Sequence, residues 1–424
     1  MTNNQFPKIL VLNAQSIYKN NATGITLRSI LREIPEENLM ELYRDNTREL
    51  VAERFDFESI QIPAKDMPVN YFVRKMMRLS NDYEKDISTM PSTVDTDSYK
   101  HIQRRTKMIS LFKGLIESTF VCVDKELDEK IKNFGPDIIY TLGASEFILS
   151  WAIKLQKKYN TGIVLHYMDN WRETQYTFGK CNQILKKIQD KKLSYLEKKM
   201  RYGMTISQAM ADAYHQKYGA SYLPLMNVAQ KMTINERISE EVVFVYAGGL
   251  HLGRDCCIKK IANQLEKIAN CGANVKLIVY TALKYRGLLA DSPFIELRDP
   301  VKHEEIERVY ELADVLIHVE SDNEVLINFT KYSMSTKISE YMMSGRPILC
   351  YAPSELASSK YISKHHAGIC VDNERDLESS IKMLMEERNR KNMGDNGRKC
   401  AEKYHSVEFL RTTIGTVFCE RVIK

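Results

Sequence analysis

The sequence contains no GxGxxG, no GxxxxGK[ST], no HExxH and no GxSxG. The oxidoreductase dinucleotide fingerprint, the P-loop, the zinc protease helix and the serine nucleophile elbow therefore have no support. Its nine cysteines include no CxxC pair, and only Cys256 and Cys257 are adjacent. An odd, scattered set fits neither a disulfide framework nor a zinc knuckle, and points to a reducing cytoplasm. No apolar run approaches the roughly 18 uncharged residues of a membrane span, because Lys8, Glu146, Lys276 and Lys284 interrupt or bound the longest ones. A single Lys8 before a short apolar run reads as a first strand rather than a leader, so the expectation is a soluble, unexported chain. Low-complexity tracts are absent as well.

What is present is ordinary globular material: 424 residues, 44% hydrophobic and 27% charged. That length exceeds what one core usually organises and predicts two domains. The net charge of +6 is unevenly placed. Residues 151–200 hold 11 Lys and Arg against 4 Asp and Glu, an excess of 7. Such a patch suits phosphorylated substrates or anionic lipid, and no aromatic-rich basic motif accompanies it to suggest nucleic acid.

Short apolar runs alternate with helical patterns. KILVLN (8–13), PDIIY (136–140), GIVLHY (162–167) and MTIS (204–207) read as strands, and so do VVFVYA (242–247), VKLIVY (275–280), VLIHV (315–319) and PILCY (347–351). Helical spacing is seen at 25–34, 147–159 and 180–201, around Phe72, Met76 and Met77, at 109–120, and in a final stretch at 402–424; the polar piece 88–98 reads as a loop. Strands alternating with crossover helices predict two doubly wound parallel sheets. The predicted division is 1–225, a linker at 226–240, 241–405, and a C-terminal helix at 406–424.

In such sheets ligands sit beyond the carboxyl ends of the strands, which singles out four loops: 13–24, 166–171, 248–254 and 333–340. Ser335 and Thr336 stand at a helix start, where backbone N–H groups and the dipole favour a phosphate, and Gly345 with Pro347 makes the matching stop. Lys337 and Glu340, three apart, share a face: either a diphosphate cation and a ribose acceptor, or a surface ion pair. Gly248 and Gly249 let the backbone approach a ligand, with Arg254, Lys259 or Lys260 for phosphate oxygens. His166 and Asp169 can orient a hydroxyl, and Trp171 offers a flat face to a sugar; a core His, a capping Asp and a core Trp are the plain alternative. The stretch 180–201 is an amphipathic basic helix, facing either solvent or anionic lipid.

Taken together, Y-A-G-G-L followed by Arg254, the segment from Leu297 to His318, and S-T-K-I-S-E-Y-M-M-S-G-R-P-I (335–348) resemble the donor domain of GT-B glycosyltransferases, most of all the broad family 4. T-I-S-Q-A-M and L-P-L-M-N-V resemble the segment leading to its interdomain linker. The resemblance implies two Rossmann-like domains facing across a cleft, with the last helix returning to the N-terminal one. It implies a retaining transfer of sugar from a nucleoside diphosphate donor to a glycan or lipid-linked acceptor in surface polysaccharide synthesis. No DxD-type signature stands in a suitable loop, so no metal or other cofactor is expected, and the basic stretch 180–201 would place the chain peripherally at the inner face of the membrane. Glu340 would bind the ribose; Ser335, Thr336 and Lys337 the diphosphate; Arg254, or Lys259 or Lys260, the leaving nucleotide; and Val301 the base. Asp169 or His166, Trp171 and the Gly24 loop would meet sugar and acceptor. One departure stands out: the family's first glutamate, eight residues before Glu340, is Tyr332 here, with Glu320 and Glu324 out of register. An epimerase on the same scaffold and a silent partner-binding subunit are the rival readings.

Overall fold

The computed structural model describes residues 6–45, 51, 55–62, 121, 123–176, 180–234, 239–302 and 305–420. The helical patterns around Phe72 and at 109–120, and the polar loop at 88–98, lie outside them. The chain divides into two compact units: one takes the N-terminal part through Asn227 together with the residues from Leu410 on, the other runs from Val228 to Phe409.

The first unit is built on seven parallel strands in the order β3-β2-β1-β4-β5-β6-β7. These are β1 Ile9–Asn13, β2 Leu39–Tyr43, β3 Glu58–Gln61, β4 Ile138–Thr141, β5 Gly162–Tyr167, β6 Gly203–Thr205 and β7 Tyr222–Pro224. Its helices are α1 Ala22–Leu31, α2 Lys125–Phe134, α3 Glu146–Tyr159, α4 Trp171–Thr174, α5 Lys180–Glu197 and α6 Gln208–Tyr218. Central strands such as β1 and β5 are buried at every residue, which is why they read as unbroken apolar runs rather than alternating ones. Side-chain caps start the helices: Asn21 on the Gly24 amide, Ser145 on Ile148 and Ser207 on Met210.

The second unit has six parallel strands in the order β10-β9-β8-β11-β12-β13. They are β8 Val242–Ala247, β9 Val275–Tyr280, β10 Ile295–Arg298, β11 Val315–Val319, β12 Ile348–Tyr351 and β13 Gly368–Val371. Its helices are α7 Arg254–Asn270, α8 Leu283–Arg286, α9 Ile306–Leu312, α10 Glu324–Thr330, α11 Thr336–Ser344, α12 Ala357–Lys364, α13 Leu377–Met385 and α14 Glu387–Tyr404. In both sheets the strand order reverses beside the first strand, between β1 and β4 and between β8 and β11. Those two points are where such sheets open a crevice to ligands.

The predicted terminal helix is two helices. At its start α14 ends at Tyr404, and α15 runs only from Val407 to Ile414 before a π-turn at Gly415–Cys419. The break has a cause in His405, which is buried, bonds the Tyr361 hydroxyl through Nε2 at 2.9 Å and lends its carbonyl to the Ala229 amide. Beyond it, Arg411 bonds Glu33 and Phe418 stands edge-on to Tyr140, holding this last segment in the first unit. The basic helix α5 stops at Glu197, short of Arg201, and Glu197 at its end pairs with the buried Arg172. Among the described residues no helix is long and apolar enough to cross a membrane.

Candidate functional site

The β8–β11 switch point carries a compact set of charged groups. The turn after β8 passes through Gly248 and Gly249 to Gly253, whose left-handed φ of 73° precedes the first residue of α7, Arg254. The Arg254 guanidinium reaches across the switch point to the residue after β11. Its Nη2 donates to Glu320 Oε1 at 2.7 Å and its Nε to Glu320 Oε2 at 3.3 Å. This forked pair fixes the plane of the guanidinium. Below it His318, at the inner end of β11, is 6% exposed, and burial pushes its imidazole down to about 4, so it stays neutral.

Helix α11 brings the second cation. Ser335 occupies its N-cap position without bonding a first-turn amide through its side chain, and Gly345 closes the far end at φ 72°. The helix therefore presents N–H groups at its start that its own cap does not satisfy. Lys337, in the first turn, lays its ammonium 5.4 Å from the centre of the Tyr246 ring. A methyl group on Gly248 would stand 1.9 Å from Lys337 Nζ, so glycine at 248 is what admits the ammonium. Burial, then the neighbouring Arg254, lower the Lys337 pKa from 10.5 to about 8. Two cations and a helix start thus converge, and among the described residues the counter-anions beside them are Glu320 and, one turn along, Glu340. The Glu340 carboxylate is half-buried and accepts the Tyr310 hydroxyl at 2.6 Å.

At the first unit's switch point the loop after β1 is tied on both sides. Glu41, wholly buried in β2, accepts the Ile17 amide at 2.7 Å and the Ser16 hydroxyl at 3.2 Å. From α1, Arg28 Nη1 donates to the carbonyls of Ile17 at 2.5 Å and Lys19 at 3.2 Å. Gly24 lies in the first turn of α1, where an added Cβ would come within 2.1 Å of the Lys19 carbonyl. After β5, Asp169 is half-buried in the loop that opens α4.

Residues 260–417 match the family model described as glucosyltransferase 3-like, C-terminal domain. No curated protein matches the sequence. Among solved structures, sucrose-phosphate synthase from Thermosynechococcus elongatus is similar at 11% identity, 97% of this chain covering 98% of that one, with a TM-score of 0.59. The lipopolysaccharide outer core galactosyltransferase WaaB is similar at 10% identity over 97% and 100% of the two chains, TM-score 0.57. An α,α-trehalose-phosphate synthase (UDP-forming) from Burkholderia vietnamiensis gives 8% identity, 96% and 98%, and 0.57. At these identities the likeness is one of fold. The chain has the GT-B fold of these glycosyltransferases, and its residues 260–417 match a glucosyltransferase 3-like C-terminal domain.

Within the GT-B framework the structure sorts the expected site residues. Arg254, Lys337, Thr336, Ser335, Gly248 and Gly249 come together at one switch point, with Glu340 a turn away. Lys259 does not join them: it is paired with Asp291, at 2.7 Å from Oδ1, while Lys260 pairs with Asp322 at 3.3 Å and lies over the Tyr351 ring. Arg254 is accordingly the basic residue of this loop that shares surroundings with Lys337. Val301 is half-buried in the irregular segment after β10.

Two acceptor-side expectations are corrected. His166 is fully buried, with Nδ1 2.8 Å from the Tyr140 hydroxyl, and burial drives its pKa to about 3. A neutral ring enclosed in the sheet cannot reach a substrate from there. Trp171 is 7% exposed and packs on Tyr167 at 5.3 Å, so it offers no open face to a sugar. Asp169 is the member of that trio with access to solvent.

Sequence reasoning passed over His251, His318, Glu41 and Arg28, and set Glu320 aside as out of register. A glutamate in the middle of the apolar run LMELY was the available signal for Glu41. Glu320 carried none, since its importance lies in a partner 66 residues away.

Proposed function

We propose that this GT-B chain, a family 4 type enzyme, transfers a sugar from a nucleoside diphosphate donor to a hydroxyl of a glycan or lipid-linked acceptor, without a metal and with retention at the anomeric carbon. The observation that carries the reading is the convergence of Arg254, Lys337 and the start of α11 around Gly248. As the bond between the anomeric carbon and the phosphate oxygen breaks, negative charge grows on the departing diphosphate. Two fixed cations and a helix start stabilise that developing charge more than the neutral sugar they release. The amides of Ser335 and Thr336 meet the phosphates, Glu340, oriented by Tyr310, receives ribose hydroxyls, and Val301 borders the base. Asp169 and the Gly24 loop serve the acceptor.

The outer face of α5 and the turn after it suit an acceptor held at an anionic membrane on its cytoplasmic side. Lys186 and Lys192 are engaged by Asp190 and Glu146, whereas Lys187 and Lys191 on the helix and Lys198 and Lys199 in the turn are exposed, with Ile184 56% exposed on the helix. Each such lysine adds about 1 kcal/mol of attraction near anionic headgroups.

Thermal melting with UDP, GDP, ADP, dTDP and CMP, with and without magnesium, tests the donor site. One nucleoside diphosphate should raise the melting temperature equally in both conditions, and Arg254→Ala and Lys337→Ala should remove the rise. A flat panel, or a rise that needs magnesium, refutes the proposal.

A further inference from the structure

The residue between the glycine turn and Arg254 has no role in the reading above. His251 follows Gly249 by two positions, and its Nε2 lies 3.4 Å from Arg254 Nη1. A guanidinium has donors only, so in this contact the imidazole nitrogen is the acceptor and its proton sits on Nδ1. The surroundings hold the ring neutral. Burial, then Arg254, with Lys337 and Lys284 adding to the effect against the opposing charge of Glu320, lower its pKa to about 4.

The ring is placed as well as uncharged. It folds back over the glycine turn, so that a Cβ on Gly249 would come within 2.8 Å of Nδ1 and 3.1 Å of Cε1. Tyr285 flanks it at 6.4 Å between ring centres, tilted by 37°. Among the described residues Nδ1 has no acceptor of its own.

Resting on the donor-site reading, we infer that His251 is a donor-binding residue whose Nδ1–H gives a hydrogen bond to a diphosphate oxygen beside Arg254. The division of labour follows from charge. Arg254 and Lys337 already supply two cations, and a third in the empty site would repel both. A neutral N–H adds direction to the grip on a tetrahedral phosphate without that repulsion. Of the five guanidinium N–H groups, Glu320 takes two and His251 one, leaving two, one on each terminal nitrogen, for the same phosphate.

Asparagine places an N–H close to the imidazole δ position and glutamine close to the ε position, so the two variants separate a δ donor from mere bulk. Affinities for UDP, GDP, ADP and dTDP are measured by calorimetry on wild type, His251→Ala, His251→Gln and His251→Asn. For the nucleotide that binds, Ala and Gln should each weaken affinity about tenfold, while Asn stays within about threefold, in line with a hydrogen bond to a charged group. Nitrogen-15 NMR of the ligand-free protein at pH 7 should show the Nδ1–H tautomer. Wild-type affinity in His251→Ala, retention by Gln with loss in Asn, equal loss in all three, or an Nε2–H or doubly protonated ring overturns the inference. If Arg254→Ala and Lys337→Ala also bind as wild type, the donor-site reading falls with it. If they lose affinity while His251→Ala does not, only the role of His251 falls.

Discussion

Raising the pH from 7 to 9.5 should weaken nucleoside diphosphate binding through Lys337 in particular. In the ligand-free protein its ammonium titrates near 8, because burial and Arg254 both disfavour the charged form. A bound diphosphate opposes both effects and raises that value. Below pH 8 the charge is already present and affinity is flat. Above it each binding event must take a proton from solvent, so affinity falls toward tenfold per pH unit until the bound-state pKa is reached, roughly thirtyfold between 7 and 9.5. At pH 8 the uptake should be about 0.5 proton, readable as a dependence of the calorimetric heat on buffer ionisation enthalpy. Stability moves the other way. The unfolded chain, with this lysine near 10.5, holds more protons between 8 and 10.5, so the contribution of Lys337 to folding stability rises with pH across the window in which affinity is lost. Lys337→Arg, charged throughout, should abolish both the uptake and the slope, and it subtracts any titration of the nucleotide itself. Equal pH profiles for wild type and Lys337→Arg, or no proton uptake at pH 8, refute the argument.

Two further outcomes are expected. Gly248→Ala, which places a methyl group where Lys337 Nζ lies, should cost at least tenfold in diphosphate affinity while circular dichroism stays native; unchanged affinity would show that the ammonium has room elsewhere. Replacing Lys187, Lys191, Lys198 and Lys199 together by glutamine should abolish salt-sensitive sedimentation with phosphatidylserine vesicles and leave nucleotide affinity untouched, and persistent vesicle binding would refute a lipid-facing α5.

The central strands were legible because both faces of a parallel sheet are covered: β5, β8 and β9 match their apolar runs residue for residue. The side of the first sheet beyond β1 was not. The edge strand β3 (ESIQ) is exposed at both ends, and next to it β2 carries the buried Glu41 in the middle of LMELY. The proposed donor half was legible because its residues cluster in two short segments with helix-start and glycine signals. The acceptor half misled, since a His, an Asp and a Trp after a strand look alike whether they face solvent or core. Burial, which separates Asp169 from His166 and Trp171, depends on what packs over the loop and not on the loop's own letters.

Helix α14 crosses the closing end of α11 so tightly that a Cβ on Gly394 would stand 1.9 Å from the Gly345 carbonyl, and Arg398 Nη2 holds the Ser344 carbonyl at 2.9 Å. Thr336, Lys337 and Glu340 ride on that one nine-residue helix, so a single axial displacement would move all of them together. On the donor-site reading, a bulky residue at 394 would then mimic, in a binding assay, the simultaneous loss of three proposed contacts it never touches. On the donor-site reading, a shift of α11 would therefore change diphosphate and ribose contacts together rather than one at a time.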